Sequence, residues 1–286
     1  MEERNERGET LKEFLARYDE TKYRRPSNTV DMILLTVLKG KLKVLLVKRK
    51  DHPFIHNWAM PGGFVNFDED LDTAMKRELE EETNLFDSTY FRQLYTFGNA
   101  DRDPRTRVIT TVYLSMTPAE NIKMTSAGDD AMDTGWFTIQ KITTTSDGYE
   151  RKSVLMLDEE EKGIYLRYEI NDTACDNYVQ TRSKLLDSSN AKLAADHIKA
   201  INMAIDVVRN RAASTGIMFN LLPKECTLRE IQEVYEAIVN HPVDTGNFRR
   251  DIKKMLVATG STTIVNGRKV ATYSFNPLLP FVKETL

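Results

Sequence analysis

The chain has 286 residues, a length that suits two domains at about 100 to 200 residues per domain. Its 41% hydrophobic and 29% charged residues exclude a wholly disordered or fibrous protein. The formal net charge of -3 predicts no polyanionic partner from bulk charge, so any nucleic-acid site must be local. Cys175 and Cys226 are too few for a disulfide framework, and residues 1–10 lack the apolar core of a signal peptide. No apolar run reaches the roughly 18 residues of a membrane span, so we expect a cytoplasmic protein with no membrane partner.

The first part of the chain is expected to mix helices and strands. Residues 1–25 are dense in charge and carry a short apolar stripe, which predicts an amino-terminal helix or arm. Two leucine-rich and β-branched runs at 30–38 and 42–47 predict a hairpin that enters a core. Further strand-like runs follow at 91–97, 108–116, 135–139, 153–157 and 163–170.

Two segments follow the last of these runs. Residues 171–190 are polar and show no clear period, so we expect an insertion or a mobile loop there. An apolar stripe at helical spacing predicts a long helix over about 191–213, with Ser189 or Asn190 as its N-cap. This helix is expected to close the first large domain, residues 26–213.

The character of the sequence then changes. Thr227 and Glu230 have the spacing of a capping box, which predicts a helix. A second, basic helix is predicted over about 247–256, and Asn266-Gly267 predicts the type I′ turn of a hairpin. Helix, turn, basic helix and hairpin is the order of a winged helix-turn-helix, so we expect a separate domain over 214–286.

Three acidic residues, Glu78, Glu81 and Glu82, stand at positions i, i+3 and i+4 of a predicted helix. At about 100° per residue, their side chains fall within one arc of about 100°. Carboxylates so placed raise one another's pKa unless a cation compensates them, and hard oxygen ligands suit Mg²⁺ or Mn²⁺. The residues alone leave two interpretations open, a divalent-metal site and a solvated acidic helix face.

The surrounding sequence favours the metal site because it resembles the Nudix box. The matching positions are Gly63, then after five residues Glu69, then after seven residues Arg77-Glu78-Leu79, one residue, and Glu81-Glu82. One fixed position differs, since Asn84 stands where the family has glycine, before the expected aliphatic Leu85. Where a helix ends in a residue of left-handed conformation, Gly is the commonest residue and Asn the next best tolerated. The resemblance covers about 26–213 and implies an α+β protein, a Nudix α/β/α sandwich with a mixed sheet followed by the winged helix.

The resemblance also implies roles for residues of the box. Glu81 and Glu82 are the expected ligands of Mg²⁺ or Mn²⁺, with the Gly62 carbonyl joining them. Glu78 is expected to be a ligand or the base that activates water, and Arg77 to orient the carboxylates through a charge-assisted pair. The implied reaction is metal-dependent cleavage of a nucleoside diphosphate linked to another moiety. The box does not identify that moiety.

The loop at 98–105 carries Arg102 and Arg105, which are candidates to bind phosphate or to stack on a base. A surface loop with compensating Asp and Arg residues is the alternative. The run resembles a segment of Nudix-related transcriptional regulators and their ADP-ribose-cleaving relatives, which implies an ADP-ribose-like ligand. Phe64, at the end of a segment that resembles the approach to the box, is a further predicted substrate-binding residue. Three histidines are expected to be ordinary structural or surface residues, namely His52, His56 and His197.

Cations of the predicted winged helix are concentrated on its second helix and at the tip of its hairpin. Side chains at these positions contact phosphates and base edges in helix-turn-helix proteins. The predicted DNA-binding residues are therefore Asn247, Arg249, Arg250, Lys253, Lys254, Arg268 and Lys269. A solvated basic helix is the alternative. The order of the elements along the chain resembles that in the winged helix of the same regulators, although Lys269 stands where family members often carry Pro.

Two functions compete at this stage. The first is a regulator that binds an operator in double-stranded DNA as a homodimer and senses an ADP-ribose-like nucleotide. The second is a Nudix hydrolase whose carboxy-terminal module serves dimerisation or substrate enclosure. Because the box retains all its acids, we predict the architecture of a regulator together with a hydrolase site.

Overall fold

The computed structural model describes residues 2–83, 90–122 and 131–278. Its helices are α1 (Leu11–Arg17), α2 (Leu71–Thr83), α3 (His197–Ala212), α4 (Leu228–Val239) and α5 (Thr245–Ile252). Its strands are β1 (Ser27–Leu38), β2 (Lys41–Arg49), β3 (Trp58–Ala59), β4 (Gly62–Phe64), β5 (Tyr90–Phe97), β6 (Val108–Met116), β7 (Ala131–Ser146), β8 (Glu150–Glu159), β9 (Ile164–Cys175), β10 (Tyr178–Leu185), β11 (Leu256–Val265) and β12 (Arg268–Phe275). Within these ranges, none of the helices combines the length and the apolar character needed to cross a membrane.

Ten strands form one mixed sheet in the order β10-β9-β8-β7-β2-β1-β6-β5, with β3 paired to β2 and β4 paired to β1. Strands β1 and β6 run parallel, whereas the other paired strands of this sheet are antiparallel. The expected hairpin is confirmed as β1 and β2, in which Leu35 lies opposite Val44. The other strand-like runs are confirmed as β5 to β9, and β7 and β9 extend well beyond the predicted ends.

Strand β1 is buried on both of its faces because it lies inside the sheet between two helices. Val30, Met32 and Leu34 belong to a core cluster with the apolar side chains of α2. Ile33 and Leu35 point to the opposite face and belong to a cluster that includes the apolar side chains of α3. Successive side chains of a strand alternate between faces, so an uninterrupted apolar run serves both layers. The α+β sandwich expected from the sequence is therefore confirmed.

The carboxy-terminal part folds as the expected winged helix. The capping box of α4 is present, because Thr227 Oγ1 accepts from Glu230 N at 3.2 Å and Glu230 Oε2 accepts from Thr227 N at 2.7 Å. Helix α4 ends at Val239, and its C-cap residue Asn240 adopts the left-handed conformation. Asn266 and Gly267 both have positive φ, as a type I′ turn between β11 and β12 requires. These local signals were correctly interpreted from the sequence.

The winged helix packs against the Nudix part through a shared apolar core. A 3₁₀ segment at Gly216–Leu221 follows α3, and its Ile217 and Met218 lie in the same cluster as the α3 face of the sheet. Arg209 Nε of α3 also donates to Ile238 O of α4 at 2.9 Å. The two parts are thus in direct contact, while the domain limits 1–25, 26–213 and 214–286 stay predictions.

The amino-terminal arm contains the expected helix, α1. Thr10 caps it, with Glu13 completing a capping box. Its apolar stripe is not used in a core, because Leu11 and Leu15 are exposed and no residue of α1 is buried. The helix is therefore stabilised by local contacts.

The expectation of an insertion or mobile loop at 171–190 is wrong. Residues up to Cys175 extend β9, and β10 pairs with that extension in antiparallel register. Strand β10 lies at the edge of the sheet with most of its side chains exposed, so the apolar alternation that identifies a strand is missing. Asp172 stabilises the hairpin by accepting hydrogen bonds from Thr181 Oγ1 at 2.7 Å and from Arg151 Nη2 at 2.6 Å.

The start of α3 is also corrected. The helix begins at His197, and Asp196 holds the N-cap position that Ser189 or Asn190 was expected to fill. Ser189 Oγ instead donates to Arg167 O at 3.0 Å, and Asn190 Oδ1 accepts from Tyr165 N at 2.8 Å. These polar side chains bind the backbone of β9, so the chain continues past them without entering a helix.

The second helix of the winged helix is shorter than expected. Helix α5 spans Thr245–Ile252 and is capped by Asp244, and a 3₁₀ turn follows at Lys253–Met255. The wing strand β11 begins at Leu256, which the predicted helix included. The last carbonyls of a helix have no α-helical partners, and a tighter turn can satisfy them. Lys253 and Lys254 therefore stand on the 3₁₀ turn that follows the helix.

Candidate functional site

A cavity of about 820 Å³ opens where strand β4, helix α2, the loop after β5 and the start of α3 meet. It brings together the residues predicted from the Nudix resemblance, namely Gly62, Phe64, Arg77, Glu78, Glu81, Glu82, Arg102 and Arg105. Most of these residues are distant in sequence from the loop arginines, so the fold creates the site. Their individual roles stay predictions. Asn84 and Leu85 of the box lie outside the described residues.

Two glycines allow β4 to pass close to its neighbours. Gly62 has a φ of +152°, and a Cβ atom there would lie 2.2 Å from Val30 O of β1. A Cβ atom on Gly63 would lie 2.2 Å from Glu78 Oε1. The missing side chains therefore let the Glu78 carboxylate rest against the backbone of β4.

Arg77 binds several acids on α2 and near it. Its guanidinium lies 2.7 Å from Glu69 Oε1, 2.7 Å from Glu78 Oε1 and 3.2 Å from Glu81 Oε2. It also donates to Phe64 O at 3.1 Å. One planar cation thus fixes carboxylates of the box relative to β4, which is the arrangement expected for an orienting residue.

The carboxylates respond differently to this cation. Hydrogen bonds from Arg77 lower the pKa of Glu69 from 4.5 to about 2. Burial raises the pKa of Glu78, and its bond with Arg77 does not fully offset that effect. Glu78 is a buried carboxyl with 8% of its surface exposed. Its charged form therefore carries a desolvation cost that a nearby cation would relieve.

The donor atoms around Glu78 fit a hard divalent cation, although they are not arranged as a metal cage. Among the described residues, no group of three or more His, Cys, Asp or Glu side chains already stands in a metal-holding arrangement. Glu78, Glu81, Glu82 and the Gly62 backbone nevertheless line the same cavity and offer only oxygen ligands. Oxygen ligands of this kind match Mg²⁺ or Mn²⁺.

The two loop arginines have different environments. Arg102 has a side chain that is 6% exposed, and its Nη2 lies 2.9 Å from Asp196 Oδ1 and 3.9 Å from Asp31 Oδ2. Arg105 is exposed, pairs with Asp103 at 2.8 Å and lies over the Phe64 ring at 5.4 Å from its centroid. Both arginines are thus compensated by aspartates, and both line the cavity. Arg102 belongs to the wall of the cavity.

Several residues that line the cavity or contact its lining could not be found from the sequence. Asp31 and Asp196 contact Arg102 from distant elements. His197 was expected to be an ordinary residue, and its Nδ1 does accept a structural hydrogen bond from Met60 N at 2.9 Å. It nevertheless lines the cavity while remaining 7% exposed. Nothing in its sequence spacing indicates this position, because the Met60 segment and the start of α3 meet only in the folded chain.

The predicted DNA-binding side chains are exposed on α5, on the 3₁₀ turn that follows it and at the tip of the wing. Asn247, Arg249 and Arg250 are exposed on α5, while its Phe248 and Ile252 are buried. The other four are exposed on the 3₁₀ turn and at the tip of the wing, and they are Lys253, Lys254, Arg268 and Lys269. In the described part of the chain, Arg249, Lys253 and Lys254 form no ion pair, so their charge is available to a phosphate.

Comparisons with known proteins agree with this architecture. The NUDIX domain model matches residues 26–157, and the NrtR DNA-binding winged helix domain model matches residues 218–275. The chain is 28% identical over 266 residues to the ADPR responsive transcriptional repressor NtrR of Acinetobacter baylyi, covering 92% of this chain and 87% of that protein. It is 34% identical over 143 residues to an ADP-ribose pyrophosphatase of Methanocaldococcus jannaschii, covering 49% of this chain and 80% of that protein. The crystal structure of Shewanella oneidensis NrtR complexed with a 27mer DNA matches with a TM-score of 0.58 and 26% identity, covering 87% of this chain and 93% of that chain.

The fold and the cavity define a class of protein in which a Nudix sandwich is joined to a winged helix. The chain belongs to the Nudix family, and its carboxy-terminal domain is of the NrtR winged-helix type. The first part is thus related to hydrolases, and Nudix hydrolases generally use divalent metals. This assignment confirms the resemblance drawn from the box and from the order of elements.

We expect Arg77→Gln to raise the pKa of Glu69 from about 2 towards 4.5, because Arg77 makes the largest contribution to lowering it. A carboxyl with a lowered folded-state pKa stabilises the fold above its unfolded value, and this contribution is lost as pH falls from 4.5 towards 2. Carboxyl-detected NMR titration measures the change. Arg25→Gln, which removes an exposed partner of Glu20, is the control. An unchanged Glu69 titration in Arg77→Gln would contradict the assignment.

Proposed function

We propose that the protein is an ADP-ribose-responsive transcriptional regulator that binds double-stranded DNA. The observation that carries the proposal is the presence, in one chain, of a Nudix cavity and a winged helix whose predicted DNA-binding side chains are all exposed. The Acinetobacter relative, named as an ADPR responsive repressor, aligns over both parts. A DNA partner is consistent with the cytoplasmic location expected from the sequence.

The cavity supports a ligand that carries a diphosphate. Its volume of about 820 Å³ lies within the range of about 300 to 1,000 Å³ that is usual for small-molecule sites. Arg102 and Arg105 supply guanidinium groups on one wall, and Glu78 and Glu81 supply carboxylates on another. Guanidinium groups bind phosphate oxygens, and the Phe64 ring offers a face on which a base can stack. These features fit ADP-ribose without requiring a third phosphate.

The winged helix supports a duplex partner. Helix α5 presents Asn247, Arg249 and Arg250 to solvent at the position of a recognition helix, and the wing tip adds Arg268 and Lys269. Phosphate contacts from such side chains set the affinity, and contacts to base edges set the sequence preference. Because winged-helix readers of palindromic operators usually pair, we propose a homodimer as the DNA-binding form.

Replacing Arg249 or Lys254 by Gln should weaken binding to a duplex from the region upstream of the protein's own gene. A lost phosphate contact should reduce the slope of log K against log salt by about 0.9, and a lost base contact should cost about 1 to 3 kcal/mol and relax one sequence position. Fluorescence anisotropy at several salt concentrations measures both effects. Lys152→Gln removes an exposed cation from β8 and is the matched control.

The regulator assignment would be contradicted if the wild-type protein bound this duplex no more tightly than random duplex. It would also be contradicted if Arg249→Gln and Lys254→Gln behaved like Lys152→Gln. Hydrolysis should be unaffected in all three variants, because none of these residues lines the cavity. Measuring DNA binding and hydrolysis in the same three variants therefore tests the functions of the two domains separately.

A second function, hydrolysis of ADP-ribose, is favoured because the Nudix box retains all its acids and three of them line the cavity. The Methanocaldococcus relative that matches the Nudix part is named an ADP-ribose pyrophosphatase. Glu81, Glu82 and the Gly62 carbonyl would hold Mg²⁺ or Mn²⁺, and Glu78 would either join them or accept a proton from water. A bound divalent cation would neutralise the diphosphate and lower the pKa of water.

The arginines of the cavity would position either the carboxylates or the substrate. Arg77 would keep Glu78 and Glu81 in place through the hydrogen bonds already present. Burial raises the pKa of Glu78, which makes its carboxylate a better proton acceptor than an exposed one. Arg102 and Arg105 would hold the two phosphates so that water reaches one phosphorus atom.

Glu82→Gln should reduce magnesium-dependent cleavage of ADP-ribose by at least about 10-fold, because even residues that only support metal ligands are typically worth about 10- to 100-fold. Glu80→Gln is the matched control, since Glu80 is exposed on the same helix and does not line the cavity. Phosphate release from the product after phosphatase treatment measures turnover. Equal turnover in the two variants would contradict the assigned metal ligands, and absence of turnover in the wild-type protein would leave the regulator without hydrolase activity.

A further inference from the structure

Helix α3 connects the ligand cavity with the winged helix. Its first residue, His197, lines the cavity. Its 16 residues span about 24 Å at 1.5 Å per residue. Near its other end, Arg209 contacts helix α4 of the winged helix. Both ends of one rigid element are therefore placed at the two sites that a ligand-responsive regulator must link.

The ring of His197 presents a hydrogen-bond donor to the cavity. Its Nδ1 accepts from Met60 N at 2.9 Å, which places the proton of the neutral ring on Nε2. Burial lowers the pKa of His197 and keeps the ring neutral, against the opposing effects of Asp31 and Asp196. His197 lines the cavity although the residue is more than nine-tenths buried, so Nε2 is the ring nitrogen left to meet a ligand there. An oxygen atom of a ligand could accept a hydrogen bond from Nε2.

The residue before His197 is also tied to the cavity. Asp196 occupies the N-cap position of α3, yet its carboxylate makes no capping hydrogen bond to the helix. It accepts from Arg102 Nη2 at 2.9 Å instead. A ligand phosphate that attracts Arg102 would leave Asp196 free to cap the helix, since Asp is one of the residues preferred at the N-cap. The first turn of α3 would then have a second arrangement, which differs in the partner of Asp196.

Arg209 joins three elements at the opposite end of α3. Its Nε donates to Ile238 O in the last turn of α4 at 2.9 Å, and its Nη1 donates to Lys141 O of β7 at 3.2 Å. The buried Lys141 side chain pairs with Asp206 of α3 at 2.6 Å. The carbonyls at the end of α4 lack helical partners and carry partial negative charge, so a guanidinium is a favourable partner there.

Resting on the function proposed above, we propose that His197 is a ligand contact and that α3 carries the occupancy of the cavity to the winged helix through Arg209. Ligand binding changes the hydrogen bonds that Arg102, Asp196 and His197 make at the start of α3. The helix moves as one body, so the change reaches the Arg209 contact with α4. The ligand alters DNA affinity only to the extent that it binds the two arrangements of α3 differently.

The ligand end is tested with His197→Asn. The Asn amide oxygen can still accept from Met60 N, but the shorter side chain provides no donor at the position of Nε2. We expect the dissociation constant for a methylene-bridged ADP-ribose analogue, which cannot be cleaved between its phosphates, to rise about 3- to 10-fold. Isothermal titration calorimetry on the full chain measures it. Lys199→Gln, on the exposed side of the same turn, should leave it unchanged.

The relay end is tested with Arg209→Gln and with the conservative Arg209→Lys. Both should bind the analogue as the wild-type protein does, because Arg209 does not line the cavity. The ratio of DNA dissociation constants with and without the analogue is expected at about 5 to 150 in the wild-type protein and near 1 in Arg209→Gln. Arg209→Lys, which keeps the charge but cannot reach both carbonyls, should give an intermediate ratio. Asn210→Ala, at the exposed neighbouring position, should keep the wild-type ratio.

Each outcome has one meaning. Wild-type coupling in both Arg209 variants would overturn the relay, and an unchanged analogue affinity in His197→Asn would overturn the ligand contact. A variant that fails to fold is recognised by its melting curve, and the Arg209→Lys protein then decides the question. A wild-type ratio of 1 would instead contradict the proposed function itself, with the relay falling as a consequence.

Discussion

Both faces of strand β1 are apolar and have to be covered, and the two helices that cover them carry residues of the cavity. Its alternate apolar side chains pack with α2 on one side and with α3 on the other. Helix α2 carries the acids of the Nudix box, and α3 begins with His197 at the cavity. Burial of apolar surface is the largest favourable term in folding, so packing against β1 determines where the two helices lie. The cavity at the ends of both helices is therefore fixed by packing rather than by its own polar contacts.

Charge within the cavity is balanced by short-range pairs that a ligand can compete for. Arg77 neutralises acids on the side of α2, and Asp196 with Asp31 neutralises Arg102 on the side of α3. Buried charges are tolerated only when they are paired. A divalent cation on the acids and a diphosphate on the arginines would supply the same compensation from outside the chain. The same set of residues therefore suits both candidate functions, and the winged helix distinguishes them.

The sequence predicted features that depend on local signals. The Thr227–Glu230 capping box and the Asn266-Gly267 turn act within a few residues, so their outcome does not depend on the rest of the fold. Features that depend on distant contacts were missed. Strand β10 is recognisable only by its pairing with β9, since an edge strand need not alternate apolar and polar residues. Asp196 replaces the expected cap because Ser189 and Asn190 bind the strand backbone, and His197 enters the site through its contact with Met60.

We propose that the cavity of the Nudix part and the DNA surface of the winged helix are thermodynamically linked. Linkage is reciprocal, so a ligand that changes DNA affinity must have its own affinity changed by DNA by the same factor. The most direct test is a calorimetric titration of the uncleavable ADP-ribose analogue into the wild-type protein, alone and saturated with its operator duplex. The account predicts that the analogue dissociation constant differs between the two titrations by about 5- to 150-fold. Identical dissociation constants, with the duplex bound throughout, would contradict it.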